Sequence, residues 1–413
     1  MKRIITLYWS SIGLWVSFAT MILWLFFFWV RPKYLRNKLQ SIIKNIYADS
    51  DYFMFGSARS ALSFYLSQNF KPGDEVVISA YTCLAVPTAL IAANLVPVYV
   101  DINPDNLAIS EEKIWSSISS KTKAIVVQHT LGNPAPIISI ISKARSLGIV
   151  VIEDCALSIG TRINDKFVGF FGDAAIYSME LSKILSCGWG GILQINNKES
   201  LEKLNTAYLL IPEQSFFSST KDLFQTFIST WTSHPFFLYF PGKYIYWLIW
   251  RLGLFRYSTP ANEFYGLVEK DFVRKMGPAQ SILALLQWKR FNYITSKCSK
   301  NYKIISTALI RAGYEVHIPK NESIQPVSNR VSFITDNRIK LISSFKKRGI
   351  ELGLWFDGPL SPIPNEKIFN YYPGNYPVAE KIANLVLNIP SHNRISDQDL
   401  DNILLCIEEN KIL

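Results

Sequence analysis

The sequence predicts an α/β protein organised around a largely parallel sheet, preceded by an N-terminal hydrophobic helix. Between residues 50 and 195, short runs rich in β-branched residues alternate with helix-like stretches, the pattern of strands joined by helices that cover the faces of a parallel sheet. Ahead of that region, residues 4–30 carry no charge, and about twenty apolar residues suffice for a helix to cross a bilayer. A chain of 413 residues exceeds one small core and implies two or three domains.

The first run, "IITLYWSSIGLWVSFATMILWLFFFWV" from Ile4 to Val30, is long for a signal-peptide core, and no small-residue cleavage site follows it. Four of eleven tryptophans (Trp9, Trp15, Trp24, Trp29) fall in the first thirty residues and three more between Trp231 and Trp250. Tryptophan favours the bilayer interface. Arg31, Lys33, Arg36, Lys38 and Lys44 follow the run, and Lys2 and Arg3 precede it. Residues 1–40 therefore read as a membrane-anchor helix with a basic juxtamembrane segment contacting membrane lipid. The heavier basic side places the catalytic domain in the cytoplasm. A hydrophobic helix packed on the globular body is the alternative. The net charge of +11 goes to the same membrane surface. No nucleic-acid partner is expected, since zinc-finger spacing, a basic reading helix and an RNA-recognition signature are all lacking.

"FGSARSALSFYL" (55–66) reads as a turn opening an apolar helix. Its Gly56-Ser57-Ala58 start leaves free N–H groups at a helix N-terminus, suited to a phosphate, although an ordinary serine N-cap looks the same. The strands follow as "EVVIS" (75–79), "VPVYVDI" (96–102), "KAIVVQH" (123–129) and "IVVIED" (149–154), with "AVPTALIAANL", "SEEKIWSSI" and "PIISIISKARSLG" as the helices between them. Ligands of such sheets sit beyond the carboxyl ends of the strands, which places Asp154, His129 and the turn after Ala80 along one rim. Asp154 ends a wholly apolar strand and needs a cationic or hydrogen-bonding partner; a solvated loop acid or a cap is the other reading. In "IYSMELSKILSCGWGGI" (176–192) a single lysine, Lys183, sits among serines and apolar residues with only Glu180 near it in sequence. "FFLYFPGKYIYWLIWRLGLF" (236–255) is aromatic but broken by Pro241, Gly242, Lys243 and Arg251, so it reads as an interfacial element or a buried insertion. Five scattered cysteines without a C-x-x-C pair point to reduced thiols, and four distant histidines give no metal site.

A phosphate cradle, a strand-end acid and a lysine past a later strand together suit pyridoxal phosphate. "GSARSAL", "KPGDEVVISAYTCLAVPTAL", "PVYVDINPDNLAI", "TKAIVVQHTLGNPA", "VIEDCALSIGT", "VGFFGDAAIYSMELSKIL" and "GGILQINN" occur in that order. The ordered set resembles the DegT/DnrJ/EryC1/StrS family, the pyridoxal-phosphate sugar aminotransferases of aspartate-aminotransferase fold (fold type I). "RVSFITDNRIKLISSFKKRGIELGLWFDGPLSP" and "YPVAEKIANLVLNIPSHNRISDQDLDNI" look like that family's small domain. The resemblance covers roughly residues 50–410. It implies a large cofactor-binding domain over 41–265, with an aromatic insertion near 222–257, and a smaller α+β domain over 266–413.

The resemblance also implies roles. Lys183 matches the lysine that holds the cofactor covalently, Asp154 the acid paired to the pyridine nitrogen, and Ser178 a phosphate-binding serine. Ala58 and Arg59 match the Gly-Thr pair beside Ser57 at the helix start. His129 matches a strand-end histidine near the cofactor, with a buried structural imidazole as the equal alternative. Four positions depart from the family's pattern: Leu157 where relatives carry glutamine, Cys83 where an aromatic stacks on the ring, Val273 where a neighbouring subunit sends asparagine, and Trp189 where an acid is usual. The implied function is a membrane-tethered homodimeric aminotransferase in glycan or polysaccharide biosynthesis. It would pass an amino group from glutamate to a nucleotide- or lipid-linked keto-sugar. The alternative is a catalytically drifted relative serving as a membrane-associated binding or regulatory module.

Overall fold

The computed structural model describes residues 4–7, 11–27, 30–47, 50–234, 241–252, 255–269, 271–362, 364 and 367–412. Its centre is a seven-stranded sheet made of β1 (Asp51–Phe55), β2 (Glu75–Ser79), β3 (Val96–Val100), β4 (Thr122–Gln128), β5 (Val150–Asp154), β6 (Ala174–Ser178) and β7 (Gly191–Ile195), in the order β1-β7-β6-β5-β4-β2-β3. The five strands from β6 to β3 are parallel, while β7 pairs antiparallel with both β6 and β1. Helices cover both faces, so strands such as β6 are buried along their whole length; near-continuous apolar runs are the sequence consequence. The sheet's two faces form separate apolar cores.

The C-terminal part is α+β. Strands Glu315–Val316, Arg330–Ile334 and Val386–Pro390 pair antiparallel and pack with helices Phe291–Arg311, Arg338–Lys347 and Asp397–Glu409 around a third core. It meets the large sheet's rim where Leu360–Ser361 pairs in parallel with Thr82–Cys83.

The membrane-spanning N-terminal helix is not found. Among the described residues, no helix is long and apolar enough to cross a membrane. The charge-free run instead gives α1 (Leu14–Phe27), a 14-residue helix. At 1.5 Å per residue that is about 21 Å, short of the ~30 Å of a hydrocarbon core. It lies on the helices Phe216–Thr232 and Pro278–Trp288. Trp24 is 2% exposed, stacks on Phe216 at 5.3 Å and donates its indole N–H to Thr220 Oγ1 at 2.9 Å. The membrane-anchored localisation falls with the spanning helix. Its basic flank has another use as well. Arg36, on the buried face of α2 (Pro32–Ile46), makes a two-pronged ion pair with Glu213 and donates to the Met276 carbonyl. Trp9, Trp29, Lys2 and Arg3 lie outside the described residues, as do 236–240 and 253–254 of the second aromatic stretch, whose described part forms the nine-residue helix Lys243–Arg251.

Two expected outcomes follow from this packing. Trp24→Ala should destabilise the protein by about 3–5 kcal/mol, the usual cost of emptying a buried indole site, read from urea unfolding. Burial also pushes the imidazoles of His317 and His392 down to about 4, from the ordinary 6.5. Within that window the unfolded chain binds protons that the folded chain refuses, so stability falls as pH falls from 6.5 towards 4. Unfolding midpoints measured across the window should show this slope, flattened by about one proton in His317→Gln.

Candidate active site

The rim of the sheet builds the site because successive parallel strands end there. Asp154 closes β5 and is 5% exposed. Its Oδ1 accepts from the Ala156 N–H at 3.0 Å, and its backbone carbonyl accepts from the His129 N–H at 3.0 Å. Burial raises its carboxyl above the usual range, while the Ala156 bond, Lys183 and His129 pull it back. Ser178 closes the next strand, β6, and Lys183 follows in the loop that turns into β7.

On the other side stands the first turn of α3 (Ala58–Asn69). Ser57 caps it, accepting from the Ser60 N–H at 3.2 Å, and the first-turn N–H groups of Ala58 and Arg59 have no intrahelical partner. Gly191, the first residue of β7, sets how closely this turn approaches the sheet. A Cβ on Gly191 would lie 2.3 Å from the Ala58 nitrogen and 2.4 Å from the Ser57 carbonyl oxygen, so any side chain there would push the helix start away from the rim. The Arg59 guanidinium is tied to the Glu263 carboxylate and the Ser258 carbonyl.

These groups share one cavity of about 1310 Å3, lined by Ser57, Ala58, Arg59, Cys83, Asp154, Ser178 and Lys183. Burial lowers the Lys183 amine, and Arg330 pushes the same way; Glu180, Cys83 and Asp154 oppose them. Burial likewise raises the Cys83 thiol. The wall opposite the sheet comes from the C-terminal part, whose residues had received no individual role from sequence. Trp355 covers the lysine, its ring 4.7 Å from Lys183 Nζ and 4.1 Å from the Arg330 guanidinium carbon. Asn329 Nδ2 donates to the Ser182 carbonyl at 2.7 Å. The available signal was "GLWFDGPL", an aromatic-acid string in a region otherwise read only for its likeness to a small domain.

Two predicted residues lie away from the cavity. His129 is fully buried, accepts at Nδ1 from the Ala135 N–H (3.2 Å) and meets Glu153 through Nε2 (2.9 Å). Glu153 also accepts from the N–H groups of Gly169, Phe171 and Gly172, each at 2.7 Å. Cys155 stands close to this pair, but all of the glutamate's strong acceptor directions already hold donors, which makes the group a strut. Leu157 is buried among the apolar residues of one sheet face. Trp189 does line the cavity, with the Arg256 guanidinium 4.8 Å from its ring.

Residues 50–214 and 260–408 match the DegT/DnrJ/EryC1/StrS aminotransferase family. A GDP-perosamine synthase of Escherichia coli O157:H7 is 34% identical over 133 residues, 32% of this chain and 36% of that protein. A UDP-N-acetyl-3-dehydro-alpha-D-glucosamine 3-aminotransferase of Acidithiobacillus ferrooxidans is 36% identical over 132 residues, again 32% and 36%. This chain's match thus spans about a third of each of these two relatives. A DegT DnrJ EryC1 StrS aminotransferase of Brucella abortus has the same fold, with a TM-score of 0.71 at 18% identity over 95% of this chain and 94% of that one. So does Spr1654 of Streptococcus pneumoniae in its PLP form, with a TM-score of 0.73 at 17% identity over 98% of each chain. The chain belongs to the DegT/DnrJ/EryC1/StrS aminotransferase family. Pyridoxal phosphate is the family's cofactor, and the donor set fits it: a helix start that Gly191 lets approach the sheet, hydroxyls at Ser57 and Ser178, a buried carboxylate and a buried amine.

The lowered lysine has a thermodynamic consequence in the cofactor-free protein. The unfolded chain holds the Lys183 proton up to about 10.5 while the folded chain releases it earlier, so stability rises with pH between the lowered folded-state value and 10.5. Lys183→Met should therefore be more stable than the parent at neutral pH, with the difference closing as pH approaches 10.5; chemical denaturation at several pH values reads it.

Proposed function

We propose that this enzyme transfers an amino group from an amino-acid donor, glutamate first among them, to the carbonyl of a nucleotide-linked keto-sugar, acting as a homodimer. The observation that carries the reading is the convergence of Lys183, Asp154, Ser178 and the first turn of α3 on one cavity. The acceptor class is suggested by the two relatives whose names carry GDP- and UDP-linked sugars. The homodimer rests on the resemblance, in which active sites form between two subunits.

Bound here, pyridoxal phosphate supplies an electron sink that eases loss of a proton from the carbon bearing the amino group. The chain's own groups do the rest. Ser57, Ser178 and the first-turn N–H groups of α3 would hold the phosphate, with the helix dipole favouring its charge. Arg59 adds a cation beside them, oriented by Glu263. Asp154 would be the acid that keeps the ring nitrogen protonated; a cation beside it draws the carboxyl down from the value that burial imposes. Lys183 would hold the cofactor covalently, and its free amine would be the group that moves the proton at the substrate carbon. A lowered pKa leaves more of that amine neutral and able to act as nucleophile and base.

Borohydride reduction of the enzyme with its cofactor, followed by peptide mass spectrometry, should place a pyridoxyl group on Lys183 and none in Lys183→Ala. Asp154→Asn should bind the cofactor yet slow glutamate-dependent conversion to the pyridoxamine form by roughly 10²-fold or more. An adduct elsewhere in the chain, or an unchanged rate in Asp154→Asn, would overturn the assignment. Cofactor binding with no amino transfer to any keto-sugar would favour the binding-module alternative.

A further inference from the structure

Part of the cavity wall comes from outside the stretches that match the family. The match stops at residue 214 and resumes at 260, and between them Ser229, Tyr257, Ser258 and Thr259 line the same cavity as Lys183. Ser229 belongs to the helix Phe216–Thr232, and the other three are consecutive in the chain that leads back into the matched stretch. Trp189, six residues beyond Lys183, lines the cavity too. The wall is braced twice. Gln225, buried on the same helix, donates from Nε2 to the Arg256 carbonyl at 2.8 Å, and its Oε1 accepts from the Arg256 N–H at 2.8 Å. That pair of bonds holds residue 256 as a neighbouring strand would. Two residues on, the Ser258 carbonyl accepts from the Arg59 guanidinium, which ties the wall to the first turn of α3.

The wall is hydroxylic and neutral. The hydroxyls of Ser229, Tyr257, Ser258 and Thr259 have no hydrogen-bond partner among the described residues, and each can both donate and accept. The two cations nearby are already balanced: Arg256 lies 3.6 Å from the Asp222 carboxylate, and Arg59 pairs with Glu263. An amino-acid donor such as glutamate brings carboxylates, and neutral hydroxyls are poor partners for them beside a cation. A sugar ring brings hydroxyls that donate and accept in turn, with an apolar face suited to the indole of Trp189. Room is not limiting, since a cavity of about 1310 Å3 exceeds the roughly 300–1,000 Å3 of a pocket for one small ligand.

We propose that Ser229, Tyr257, Ser258 and Thr259, with Trp189, form the subsite that receives the sugar ring of the acceptor. The inference rests on the reading of that acceptor as a nucleotide-linked keto-sugar. It assigns the choice of acceptor to a part of the chain that the family match leaves out, while Lys183, Asp154 and the start of α3 serve the cofactor. Removing one hydroxyl from the wall costs the sugar ring one hydrogen bond and leaves the nucleotide's own contacts alone.

The test uses the full chain loaded with pyridoxamine phosphate and calorimetric titration with UDP-N-acetylglucosamine, GDP-mannose, UDP and GDP. The two sugar conjugates carry no ketone, so they bind without reacting. The readout is the ratio of dissociation constants, bare nucleotide over its sugar conjugate, in which changes to nucleotide binding cancel. The parent should bind at least one conjugate about tenfold or more tightly than the bare nucleotide, the effect of two or more hydrogen bonds. Tyr257→Phe, Thr259→Val and Ser229→Ala should each narrow that ratio by about fivefold, the effect of one. Melting temperature controls for the fold, and Tyr257 is about half exposed, so its variant serves even where Ser229→Ala fails to fold. A parent ratio near one, or variants that keep the parent ratio, would overturn the subsite. Glutamate-dependent conversion of the pyridoxal phosphate form, followed by its visible band, reads amino transfer separately. Its absence would overturn the aminotransferase reading; its presence beside an unchanged ratio would overturn the subsite alone.

Discussion

The frame on which this site depends is a buried carboxylate one residue before the one that faces the cavity. Glu153 binds His129, just past the end of the neighbouring strand, and the N–H groups of Gly169, Phe171 and Gly172 ahead of β6. It therefore fixes β4, β5 and the entry to β6 against one another. Removing it would orphan three buried donors, each worth about 1–3 kcal/mol when left without a partner, and the half-buried Phe171 N–H. Side chains alternate across a strand, so the same geometry that turns Glu153 inward turns Asp154 to the opposite side, onto the rim cavity. One glutamate holds the scaffold, and the adjacent aspartate is left available for chemistry.

A second constraint comes from small residues. The approach of α3's first turn to β7 is possible only because Gly191 has no side chain. That closeness puts the helix dipole's positive end and the Ser57 hydroxyl opposite Ser178. Burial then does to the amine and the carboxyl what each needs: it lowers Lys183 and raises Asp154, because a low-polarity surrounding disfavours either charge alone. The two shifts are complementary, since each group is poised to gain from an oppositely charged neighbour brought by a ligand.

The N-terminal run shows where composition misleads. Hydropathy reports how much apolar surface a helix carries and is silent on whether lipid or protein covers it. Ser17 and Thr20 bond the carbonyls of Leu14 and Val16, and Trp24 reaches Thr220; polar atoms in an apolar helix were satisfied within the protein. The helix also spans only Leu14–Phe27, and Ile5 bridges Ile350. The bridge leaves no local signature, since its partner lies more than three hundred positions away.

Sequence alone determined the alternation of strands and helices, the rim on which Asp154 falls, and the ordered strings that carry the family likeness. These are local properties: periodicity, strand-end position and residue type survive without knowledge of neighbours. Tertiary structure decided the rest. It drew Ser57, Arg59, Cys83, Ser178 and Lys183 to one cavity, left His129 and Leu157 behind it, and supplied Trp355 and Asn329 from distant parts of the chain. Burial is a sum over groups brought together by folding, so which acid becomes a strut and which lines a cavity is written only in the packed molecule.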